Sequence, residues 1–279
     1  MEIIYHVLET VLPFDFITYD FMKNALIAIV LLSPLFAILG TMIVNNKMAF
    51  FSDALGHSAL TGIAIGMLFG ISNNVAMVLF AIVFSLLLNW VKHKTTYGAD
   101  TIISVFSSVA IAIGLAILAG IGNFSKYSSY LVGDILGITQ SEIGYLAIAF
   151  VAILLVWIFC FNPIHTMSIH TSIAKSKGIH VMLMDNIFVI SIAIIVMLSI
   201  RWIGILLINS LLILPAASSR NIAKNMRQYH LFAVILSLIS GIMGIVISYY
   251  INIPTGPAIV IISGIFYFIT FFAKSKIKG

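Results

Sequence analysis

Asp53 and His57 stand four residues apart, close to the start of a stretch, Ala54 to Ile71, that is otherwise apolar. On a helix, positions i and i+4 share a face, so a carboxylate and an imidazole sit side by side there. Oxygen plus nitrogen is a donor set for a borderline divalent metal. The apolar surroundings read as membrane-embedded, where an ionisable side chain is expensive and marks function by default. The residue types alone leave a plainer arrangement open, in which Asp53 caps the helix and hydrogen-bonds His57.

The elements that must position this pair are membrane helices. Hydrophobic residues make up 62% of the chain and charged residues 8%, against roughly a quarter charged in an ordinary globular protein. Runs of about 20 apolar residues, enough to span a bilayer, recur along the whole sequence. The expected fold class is all-α, a single-domain polytopic helical membrane protein with eight or nine transmembrane helices. Its spans are expected at Met22–Val44, Ser52–Gly70, Asn73–Val91, Thr101–Ile121, Ile143–Phe161, Leu231–Ile251 and Ala258–Ala273. Asp185–Ala217 is too long for one helix and is interrupted by Arg201 and Trp202, so it splits into two short segments.

Residues 1–20 read as a short interfacial helix, with Ile3, Ile4, Val7, Leu8, Val11 and Leu12 on one face and Pro13 as its stop. They lack the basic start and small-residue cleavage site of a signal peptide. Residues 21–274 form the transmembrane domain, and 275–279 a basic tail. Lys47, Lys92, Lys94, Lys175, Lys177, Arg220, Lys224, Arg227, Lys274, Lys276 and Lys278 fall in one set of loops and the tail. Only Lys23, Lys126 and Arg201 fall in the other. The basic set is expected to be cytoplasmic, with the C-terminus inside. These loop positions account for the net charge of +5, so nucleic acid is not an expected partner.

Several chemistries are excluded or disfavoured. There is no G-x-x-x-x-G-K-[ST], so the chain cannot hydrolyse ATP through a P-loop of its own. There is no H-E-x-x-H and no G-x-S-x-G, and no paired intramembrane carboxylates of the proton-pump kind. Cys160 is the one cysteine, which excludes an internal disulfide. His165, His170 and His180 are irregularly spaced with no carboxylate between them and read as structural or solvated, as do His6, His93 and His230. Asp100 and Asp134 read as helix caps. Ser240, Gly244 and Ser248 form a small-residue face for ordinary helix packing, whereas Ser58, Gly62 and Gly66, beside the Asp53–His57 face, suit a pore or dimer contact equally well.

The loop 162–184 differs in character from the rest. Ser172, Ile173, Ala174, Lys175, Ser176 and Lys177 form a short helical piece that ends at Gly178, a C-cap residue. Its length and its helical pause mark it as a segment that docks on a partner.

Four motifs in order resemble the membrane permease of bacterial ABC importers for zinc, manganese and iron, over nearly the whole chain from Tyr19 onward. Phe51-Ser-Asp-Ala-Leu-Gly-His-Ser-Ala-Leu-Thr-Gly62 resembles the family's Gly-Asp-(Ala/Thr)-x-(Ser/Ala)-His signature. Leu131-Val-Gly-Asp-Ile-Leu136 resembles an extracytoplasmic element. Leu212-Ile-Leu-Pro-Ala-Ala217 and Pro254-Thr-Gly-Pro-Ala-Ile-Val260 match two more. Ser52 stands where the family usually has Gly, and Thr61 where many members have Pro.

The resemblance implies a multi-pass protein of the bacterial cytoplasmic membrane that is a transport subunit and not an enzyme. It implies three partners: a cytoplasmic ABC ATPase, an extracytoplasmic metal-binding protein and a second permease copy. In a homodimer, two Asp53 and two His57 would offer four donors to one transported dication, with no permanently bound cofactor. Residues 172–178 would dock in the ATPase as the coupling segment. Ile205–Ala217, followed by the turn at Thr255, looks closer to the zinc branch than to the manganese or iron branches. An ATP-independent secondary transporter and a membrane protease are the rival classes. The first needs a coupling-ion site and the second a third metal ligand with a general base, and neither set is visible.

Overall fold

The structure is a computed structural model and describes residues 5, 6, 9, 10, 15–121 and 133–278. The interfacial-helix positions Ile3, Ile4, Val7, Leu8, Val11 and Leu12, together with Lys126, Leu131 and Val132, lie outside the described residues. Within the described residues the secondary structure is entirely helical. The helices are α1 (Asp20–Asn45), α2 (Phe51–Phe69), α3 (Asn73–Lys94), α4 (Ala99–Ile121), α5 (Gln140–Ile169), α6 (Thr171–Ser176), α7 (Val181–Ile203), α8 (Ile205–Ile222), α9 (Met226–Ile251) and α10 (Thr255–Lys278), with short 3-10 turns at Asp15–Thr18 and Ile135–Gly137.

Among the described residues, seven helices are long and apolar enough to cross a membrane: α1, α3, α4, α5, α7, α9 and α10. The expected count was eight or nine. The difference lies in α2 and α8, the shortest of the helices at expected spans, with 19 and 18 residues. Most of α2 is instead buried within the protein.

Three boundaries differ from the sequence reading. Helix α5 passes through Pro163 and runs to Ile169, beyond Asn162, where a loop was expected to begin. Pro163 removes one rung of the helix but does not end it, and the Thr166 hydroxyl donates back to the Asn162 carbonyl at 2.8 Å. The long apolar run breaks at Gly204, whose φ of 86° leaves the helical region, two residues after Trp202. At the other end, α10 stays helical to Lys278 where a tail was expected.

The chain forms two compact units: residues 1–41, 133–152 and 210–279 in one, residues 42–132 and 153–209 in the other. In the first unit, helices approach through glycine. A Cβ on Gly40 would lie 1.9 Å from the Leu212 carbonyl oxygen, one on Gly241 would lie 2.5 Å from Ile29, and one on Gly244 would lie 2.3 Å from Ile259. The Gly244 face is therefore the α9–α10 packing seam. Lys23, almost wholly buried, is held by Glu9 at 2.6 Å and Asp20 at 3.1 Å. Asn24 links two segments, accepting from the Tyr5 hydroxyl and donating to the Ile138 carbonyl. Asp134 caps the 3-10 turn by accepting from the amides of Leu136 and Gly137, as its sequence position suggested.

In the second unit, α2 is the central element and packs on α3, α4 and α7. Its small-residue face is used inside the chain. A Cβ on Gly62 would lie 2.8 Å from the Met77 Cα, and one on Gly66 would lie 2.6 Å from the Ala76 Cβ. Both glycines therefore admit α3 at close range, the helix-packing use of this face.

Candidate metal site

Asp53 lies in the first turn of α2, where the positive end of the helix dipole favours a carboxylate. His57 follows one turn later on the same face. The His57 Nε2 and Asp53 Oδ1 atoms are 3.6 Å apart, with both side chains partly exposed, 29% and 39%. That separation is longer than a hydrogen bond and within ion-pair range. It suits a shared ion: a tetrahedral zinc held at roughly 2.0–2.1 Å from both atoms sets them about 3.4 Å apart. The described residues contain no group of three or more His, Cys, Asp or Glu side chains that would hold a metal. At this place one chain brings together two side chains of ligand type, Asp53 and His57.

The neighbours of α2 fix the pair. Ser52, immediately before Asp53, donates its hydroxyl to Asn209 Oδ1 at 2.6 Å. Gly56 lets α8 approach, since a Cβ there would lie 2.8 Å from the Ile205 side chain. The Thr61 hydroxyl donates to the Ala110 carbonyl on α4, and Gly114 of α4 sits directly against Thr61, its would-be Cβ 2.9 Å from the Thr61 amide nitrogen. Ser52 and Thr61 are the two departures from the resembled signature, and each makes an inter-element hydrogen bond that holds the register of the site helix.

Asp53 opens into a cleft of about 550 Å³ lined also by Phe50, Ala54, Asp100, Thr101, Ser104, Ser107 and Ser108. Asp100 lies in the first turn of α4 and brings a second carboxylate into that cleft, which its sequence reading as a cap did not anticipate. A signal was present: Asp100, Ser104, Ser107 and Ser108 follow the i, i+4, i+7, i+8 spacing of one helical face within an apolar span.

The other histidines do not converge. His165 stacks on Phe161, the ring centroids 5.8 Å apart. His170 and His180 occupy the N-cap positions of α6 and α7, and the His230 ring contacts the Met226 carbonyl. His93 pairs with Asp185 at 2.8 Å.

The segment 172–178 forms most of α6 and its cap. Gly178 has a φ of 74°. Its amide donates to the Lys175 carbonyl, and that of Ile179 donates to the Ala174 carbonyl, the paired bonds of a Schellman cap. Ala174 is fully buried, and Ile173 is 46% exposed. Ser172, Lys175, Ser176 and Lys177 face outward. Lys175 also borders a groove of about 740 Å³ along the start of α7, lined by Met182, Leu183 and Ile187 among others.

The sequence profile of the ABC 3 transport family matches residues 18–274. The chain belongs to the ABC 3 transport family. Members of this family are membrane permeases of metal-importing ABC transporters, so the chain is a multi-pass transport subunit and not an enzyme. It is 28% identical over 260 residues to the high-affinity zinc uptake system membrane protein ZnuB of Haemophilus influenzae, covering 93% of this chain and all of that protein. It is 26% identical over 258 residues to the manganese import system permease protein ScaB of Streptococcus parasanguinis, covering 92% of each. The solved structure of PsaBC from Streptococcus pneumoniae in complex with Fab has the same fold, with a TM-score of 0.80 at 22% identity over 98% of this chain and 96% of that one.

Proposed function

We propose that the chain is the permease subunit of an ATP-driven importer that moves a divalent transition metal, zinc first, across the bacterial cytoplasmic membrane. The observation that carries this reading is the Asp53–His57 pair, an oxygen and a nitrogen donor at ion-sharing distance on a helix of a membrane protein. Two ligands per chain suit a homodimer in which two copies complete a four-coordinate, transient site. The two carboxylates offset the charge of the dication in a poorly solvated place. A site that must release its cargo needs weaker support than a structural zinc centre.

An ABC ATPase on the cytoplasmic side and an extracytoplasmic metal-binding protein are the partners this reading requires. Residues 172–178 are the segment that docks on the ATPase. The loop charges support eight or nine crossings, counting α2 and α8, with the C-terminus cytoplasmic. The zinc uptake relative supports zinc. The manganese relative keeps manganese as the second reading, since the same donors with added waters hold that ion too.

Deleting the gene is expected to give a growth defect under zinc chelation that added zinc relieves. A strain that grows normally without zinc but fails without manganese makes manganese the cargo.

A further inference from the structure

Asp185 lies on the second turn of α7 and is 9% exposed. Its Oδ2 atom accepts a hydrogen bond from His93 Nε2 at 2.8 Å and faces Lys92 Nζ at 3.4 Å. The next residue, Asn186, accepts at Oδ1 from Asn89 Nδ2 at 2.7 Å, and Asn89 is fully buried. Asn89, Lys92 and His93 are spaced i, i+3, i+4, so they present one polar face on the last turns of α3. Two consecutive residues of α7 are thus gripped by one face of α3.

Such a joint is stiff. A carboxylate withdrawn from water is costly unless paired, and removing one partner leaves a charge uncompensated. Bonds to charged groups are the strong ones. The joint also sits between two elements that act at a distance from each other. Helix α6, with Gly178 closing its cap, leads directly into α7 and packs against it. Helix α3 packs through Met77 and Ala76 on Gly62 and Gly66 of α2, the helix that carries Asp53 and His57.

We propose that the Asp185–His93–Lys92 cluster is a positioning joint that transmits displacement of α6 through α7 and α3 to the metal-bearing helix α2. This rests on the transport reading above. His93 and Asp185 touch no cargo. They keep α3 and α7 moving as one body, so that movement at α6 reaches α2 both through the direct α7–α2 contact and through the glycine seam of α2 with α3.

The test uses the full complex of permease, ATPase and metal-loaded binding protein in proteoliposomes, with zinc uptake, manganese uptake and ATP hydrolysis measured together. His93→Ala is expected to lower metal ions moved per ATP about tenfold while the complex stays assembled and still hydrolyses ATP. His93→Gln, which keeps a side-chain N–H for Asp185, is expected to restore most of the ratio, whereas His93→Leu, of similar bulk without an N–H, is not, a split that a loss of bulk packing does not produce. Asp185→Asn keeps the shape and removes the charge, and serves where His93→Ala does not assemble. It is expected to lower the ratio in the same direction. An unchanged metal-to-ATP ratio in an assembled His93→Ala or Asp185→Asn complex overturns the joint. Failure of the transport reading looks different: the unsubstituted complex then moves neither metal.

Discussion

Alanine at Asp53 or at His57 is expected to abolish metal uptake while leaving the complex with the ATPase assembled. In a homodimer each substitution removes two of the four donors at once. Losing a mere supporting contact to a metal ligand already costs about 10- to 100-fold in affinity or activity, so loss of the ligands themselves places uptake more than about 100-fold below the unsubstituted level. The fold has little at stake. Both side chains are partly exposed, and Asp53 contributes to α2 mainly through the helix dipole, worth about 0.3–1 kcal/mol. Uptake of radioactive zinc into vesicles, read beside ATPase pull-down, separates the two effects. Normal uptake by either variant removes the pair from the transport path.

Valine at Gly178 is expected to uncouple ATP hydrolysis from transport. The φ of 74° at this position costs an L-residue about 1–2 kcal/mol, and a β-branched residue fits it worst. The two bonds that close α6, from the amides of Gly178 and Ile179, both depend on that backbone conformation. A helix of six residues has no spare turns with which to absorb the loss. Space is no obstacle, since nothing lies within 4 Å of a Cβ there, so the effect is one of backbone conformation alone. ATP turnover is expected to persist with metal uptake sharply reduced. A valine variant with normal uptake and normal turnover shows that α6 is not the coupling element.

The sequence disclosed local features of this protein better than long-range ones, for a physical reason. The i, i+4 pair at Asp53 and His57, the C-cap at Gly178 and the cap at Asp134 depend on neighbours within one or two turns, and the structure has the expected geometry at each. The helical spans were visible in hydropathy, with ends displaced where a single residue decides the boundary, as at Gly204. Contacts between helices were not visible. Periodicity tells that Asp100, Ser104 and Ser108 share a face, but not that this face meets Asp53. The Ser52–Asn209 bond and the Asp185–His93 pair join positions far apart in the chain and exist only once the helices have packed. The small residues of α2 were recognisable as a packing face, yet their partner, α3, follows from tertiary structure alone.

Zinc bound at equilibrium to the purified complex of permease and ATPase tests the shared site most directly. The account predicts about one ion for every two permease chains, absent when Asp53→Ala and His57→Ala are combined. One ion per chain, or an ion that survives the double substitution, would contradict it.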